Sequence, residues 1–86
     1  MNETELKNYY EIITAAWKFF KKYADIDGSV EAYRLMQDEA RRMIKDFSQT
    51  DHDFAEGIFV AVCSAVQRVD LERRGKRDRN QRSVPG

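Results

Sequence analysis

Cysteine, histidine and proline occur once each in this chain, and glycine four times. A lone Cys63 excludes an intramolecular disulfide and suits a reducing compartment. A lone His52 beside a lone thiol leaves no Cys/His set for a structural zinc. The glycines at 28, 57, 75 and 86 form no phosphate-cradling loop, and a nucleophile elbow is missing as well. Pro85 is the next-to-last residue, so no proline breaks a helix before it. Long apolar runs are also lacking. The best, Gly57 to Ala65, is interrupted by Ser64 and falls far short of the roughly 20 residues that cross a bilayer. The opening MNETELKNYY has acids where a signal peptide carries bases, and no small-residue cleavage site. The expectation is a cytoplasmic protein without a membrane segment.

At 86 residues the chain makes one domain at most. Its 42% hydrophobic residues are too many for a disordered chain, and its 35% charged residues too many for a membrane protein. Fifteen Lys and Arg balance fifteen Asp and Glu, but unevenly along the chain. Arg73–Arg82 holds six bases and one acid, Asp78. The part before Arg73 carries nine bases against fourteen acids, a net of −5. An acidic body therefore ends in a basic tail.

Apolar spacing divides the body into three helices. The first covers about 4–24, with Leu6, Tyr9, Ile13, Ala16, Trp17, Phe20 and Ala24 three and four apart. A second set, Tyr10, Ile12, Phe19 and Tyr23, widens that stripe beyond the ~100° one core face requires. Asn2 and Thr4 are its candidate N-caps. The turn Asp25–Gly28 leads to Ser29, which suits the cap of a second helix over 29–47. The core face of that helix is Val30, Tyr33, Met36, Ala40, Met43, Ile44 and Phe47. Thr50 with Asp53 approximates a capping box for a third helix over 51–74. Its expected core is Phe54, Ile58, Ala61, Val62, Ala65, Val66 and Val69, with Phe59, Val60 and Cys63 on other sides. Val and Phe would also suit a strand there, but the helical flanks HDFAEG and QRVDLERR decide for a helix. Gly75 fits the residue that ends it. The prediction is an all-α fold: an antiparallel three-helix bundle over residues 1–74, then a disordered basic tail over 75–86.

Candidate chemistry is sparse. His52 lies among Asp51, Asp53 and Glu56, which could offer a metal one imidazole and several oxygens. Acids at a helix start are also what the macrodipole favours, and that reading is preferred. The segment DIDG resembles part of a calcium loop, but would put Tyr23 and Arg34 at the end positions, where acids are needed. Cys63 has no nearby base on its helix and behaves as a small hydrophobe. A helix-turn-helix is disfavoured because the second and third helices are long and the third is apolar where a recognition helix is basic. No catalytic, cofactor or metal residue is assigned, no small-molecule substrate is expected, and the protein is read as non-enzymatic.

Two surfaces remain. If Tyr9, Ile13, Trp17, Phe20 and Ala24 face the bundle, then Tyr10, Phe19 and Tyr23 are left near the surface as a protein interface. A homodimer or another protein partner would cover them; otherwise the helix lies centrally and buries both sides. Arg73, Arg74, Lys76, Arg77, Arg79 and Arg82 could contact nucleic acid or an acidic protein surface. They lack interleaved aromatics for base stacking, and the acidic body opposes a large duplex footprint. A solvated, solubilising end is the plain alternative.

The stretch YYEIITAAWKFFKKY (9–23) and the stretch FAEGIFVAVCSAVQRVDLERR (54–74) carry a recognisable aromatic and Lys spacing with a Leu-Glu-Arg-Arg ending. In these the chain resembles small α-helical proteins of bacterial phages and mobile elements, mostly without assigned function. The resemblance implies a regulatory or accessory protein that binds a larger partner, and it implies no catalytic residues.

Overall fold

A computed structural model describes the backbone of residues 1–82 and the side chains of residues 1–75. It contains three helices: α1 Glu3–Tyr23, α2 Val30–Asp46 and α3 Ser48–Arg82. The fold is the all-α three-helix bundle that the periodicity predicts. α3 continues through Gly75, the residue expected to end it, to Arg82; residues 83–86 of the expected tail, and the side chains of 76–82, lie outside the described residues.

Each helix begins where a short polar side chain accepts a backbone proton. Asn2 accepts from the Glu5 N–H at 2.8 Å and Ser29 from the Ala32 N–H at 3.0 Å. At α3 the cap is Asp51, one residue later than expected. Its carboxylate accepts from the Phe54 N–H at 3.0 Å. Asp51 is extended (φ −160°, ψ 91°), so residues 48–50 form a separate turn before the helix proper. In that turn the Phe47 carbonyl accepts from both the Thr50 and Asp51 N–H groups. Thr50 therefore already belongs to a turn and cannot cap, which is why the predicted box does not form. Between α1 and α2, Gly28 takes φ +77°, a left-handed conformation that a side chain disfavours.

α3 is the central element. Both α1 and α2 pack on it, and hardly on each other. Tyr9 of α1 meets Asp51 and Phe54 near the start of α3, while Phe19 meets Phe59 further along. α1 thus runs parallel to α3. Tyr33, near the start of α2, meets Asp70 late in α3, so α2 runs antiparallel to both.

The core is Ile12, Ala16 and Phe19 from α1, Met36 and Ala40 from α2, and Ala55, Phe59, Val62 and Val66 from α3. Three expectations are corrected here. Phe59, placed off the core by periodicity, is fully buried at its centre, whereas Ala61 and Val69 are exposed. On α1 the buried stripe is not Leu6–Ile13–Trp17 but its neighbour one position back, Ile12–Ala16–Phe19. Both stripes have helical spacing, so spacing could not choose between them. Polarity agrees with the choice: Ile12, Ala16 and Phe19 carry no polar side-chain atom, whereas the other stripe would bury the Trp17 indole N–H, which then needs a partner. Val30, expected in the α2 face, is also exposed.

Candidate interaction surface

The choice of stripe relocates the predicted interface. Phe19, expected at the surface, is 2% exposed and stacks edge-on against Phe59 at 5.4 Å. It is a core residue. Tyr23 is half-buried. One side of its ring lies 5.0 Å from Phe19, and the Lys22 ammonium sits 5.5 Å from its centroid. Burial, and then the Glu39 carboxylate, push its phenol above the usual value. Tyr10 alone of the three is openly exposed, at 67%.

Around Tyr10 the structure exposes what the sequence had placed inside. Leu6, Ile13 and Trp17 are exposed by 62%, 48% and 58%. With Tyr10 they sit four, three and four residues apart, so they form one straight seam along α1. At 100° per residue the seam lies about 120° round the helix from the buried stripe. Its lower end adjoins Phe20, half-buried and 6.3 Å from Trp17, while Lys21 lies over the indole at 5.6 Å. Sequence reasoning placed Leu6, Ile13 and Trp17 in the core. The signal that bears on them is the polar tip of Trp17 on one stripe of a doubly striped helix.

The scaffold holding α1 is tied at both ends by polar groups. Near its start, the Tyr9 hydroxyl donates to the Asp51 carboxylate. That bond holds the Asp51 carboxyl below its ordinary value, helped by the Phe54 N–H, and raises the Tyr9 phenol. After its end, the loop is held by α3. Arg74 donates to the Gly28 carbonyl and pairs with Asp70 at 2.8 Å, and Arg73 approaches Asp25 at 3.6 Å. Asp70 also accepts from the Tyr33 hydroxyl, whose phenol is raised by burial and by that bond. Lys22 bridges to Glu39 of α2 at 2.6 Å.

These contacts divide the predicted basic surface. Arg73 and Arg74 are engaged with the body and fasten the α1–α2 loop, while Lys76, Arg77, Arg79 and Arg82 lie outside the described side chains. His52 contacts Asp53 and Glu56 at 3.6 and 3.5 Å, ion pairs only when the imidazole is protonated. Among the described residues no three metal-ligating side chains cluster, and no helix is long and apolar enough to cross a membrane. Cys63 is half-buried beside the shallow groove between α2 and α3, and burial raises its thiol above the usual value.

The arrangement is a small three-helix bundle displaying an aromatic seam on its first helix. No known protein family, curated protein or solved structure matches the chain.

Proposed function

We propose that this protein is a small, non-enzymatic, regulatory interaction module that binds a protein partner through α1. The observation that carries the reading is the seam Leu6, Tyr10, Ile13 and Trp17, exposed on a helix whose other stripe already fills the core. Two of its four residues are aromatic, the type enriched where protein interfaces bury most. Continuous apolar surface of this kind is commonly a contact site. A reducing, cytoplasmic setting, which lone Cys63 suits, belongs to the same reading. So does the accessory role implied by the resemblance to phage and mobile-element proteins. The engagement of Arg73 and Arg74 with the body weighs against a nucleic-acid role for the basic end.

A photo-crosslinking residue at Tyr10, in the native cell, tests this. Leu35, an exposed apolar residue on α2, is the control position. Discrete protein adducts are expected from position 10 and not from 35, and Trp17→Glu should remove them. Equal labelling at both positions, or adducts indifferent to Trp17→Glu, would count against a binding seam on α1.

A further inference from the structure

We infer that the occupant of the α1 seam is a second copy of the same chain, laid antiparallel across it. This rests on the binding reading above and names its partner. The seam is self-complementary about its own midpoint, between Glu11 and Ile12. Reversing a second α1 about that point sets Leu6 against the partner's Trp17 and Tyr10 against the partner's Ile13. A two-fold axis repeats both contacts, as isologous pairing requires. Every layer then packs one aromatic ring on one aliphatic side chain. A parallel, in-register pair would instead stack Trp17 on Trp17 and Tyr10 on Tyr10.

Charge selects the same direction. The first half of α1 carries Glu3, Glu5 and Glu11 against one Lys7, and the second half Lys18, Lys21 and Lys22. Lys22 is turned to Glu39, while Lys21 lies over Trp17 of the seam. Antiparallel pairing lays the acidic half of each copy along the basic half of the other, and parallel pairing lays like on like. Glu3 and Lys21 share a flank, since eighteen residues at 100° is five whole turns, and reversal brings each beside the other's counterpart. Exposed ion pairs contribute little individually, so these charges set the direction while apolar burial supplies the affinity.

The size of the contact sets its strength. The exposed parts of the four side chains amount to roughly 400–500 Å² per copy, scaled from typical aromatic and aliphatic areas. With the flanking stems, a pair of copies buries on the order of 1,000–1,200 Å², the low end for specific interfaces. The expectation is a reversible dimer with a micromolar dissociation constant.

Sedimentation equilibrium of the full chain over two decades of concentration reads this directly. A monomer–dimer equilibrium is expected, weakened at least about tenfold by Trp17→Glu with the helical circular dichroism unchanged. The direction is read by charge exchange at low salt. Glu3→Lys and Lys21→Glu should each weaken the dimer about threefold to tenfold, and together restore it. The two residues are about 27 Å apart along one helix, so rescue can only pass between antiparallel copies. Both exchanges oppose the α1 dipole, so a mere folding defect would be worst in the double variant. A chain that stays monomeric, a dimer indifferent to Trp17→Glu, or a double variant no better than the singles overturns the inference. If the chain stays monomeric while position 10 crosslinks a different protein, self-pairing falls and the binding reading stands.

Discussion

Individual side chains in this protein act on parts of the chain far away in sequence, and the two ends of α3 show it. Gly28 is where the α1–α2 loop passes under Arg74. A Cβ built there would collide with the Arg74 guanidinium, on a backbone with φ +77°. The guanidinium can swing aside, but the backbone strain remains. Gly28→Ala should therefore lose about 1–2 kcal/mol in chemical denaturation. Gly57, mid-helix with open space around its missing Cβ, should respond oppositely, Gly57→Ala gaining about 1 kcal/mol. At the other end, the Tyr9–Asp51 bond makes stability depend on pH. Asp51 is held below its ordinary value of 3.8, so the unfolded chain takes up its proton first as pH falls. The contribution is complete above that value and is lost as pH drops through the lower, folded one. Tyr9 is raised above 10.0, so its share is present below pH 10 and is lost as pH rises through the folded value. Tyr9→Phe removes the larger cause of the Asp51 shift. The fall in denaturation midpoint below about pH 4 should then be shallower than in the parent chain.

Among the elements, α1 is the one whose orientation spacing cannot decide. The existence of three helices was legible, because apolar residues recur at helical spacing and polar turns separate them. So was the Ser29 cap, a local feature of four residues. Which side of α1 faces inward was not, because two stripes one residue apart both fit. Phe59 was missed for the same reason on a helix apolar nearly all round. Asp51 was missed as a cap because an upstream turn had already used Thr50. Arg73 and Arg74 read as free to contact nucleic acid or an acidic surface because nothing local reveals a bond spanning 46 positions, from Arg74 to Gly28. The stripe assignment has a clean test in two adjacent residues of one kind. Ile12 is fully buried and Ile13 is 48% exposed. Ile12→Ala should lose about 2–5 kcal/mol, as core truncations do. Ile13→Ala, measured dilute enough to keep the chain monomeric, should lose under about 1 kcal/mol. Equal losses would mean that α1 is rotated from the orientation described.

For the whole molecule, the same helix that completes the core also limits it. Among the described residues nine are buried, three of them alanine or valine on α3 and two more alanines on the other helices. A chain of 86 residues buries a smaller share of its surface than a larger domain does, and here much aromatic area stays outside. Covering the seam with a second copy would add apolar burial at no further cost in ordering the backbone of α1. Stability and association are then linked, because a partner that binds only the folded chain draws the unfolding equilibrium towards it. The thermal midpoint should consequently rise with protein concentration. At a hundred times the dissociation constant the linkage is about 2.7 kcal/mol. For a domain of this size each 1 kcal/mol moves the midpoint roughly 4–8 °C, so the rise should be on the order of 10 °C. Trp17→Glu should abolish the concentration dependence while leaving the dilute midpoint close to that of the parent. A parent midpoint that is flat with concentration would separate the two properties, leaving the bundle to stand on its nine-residue core alone.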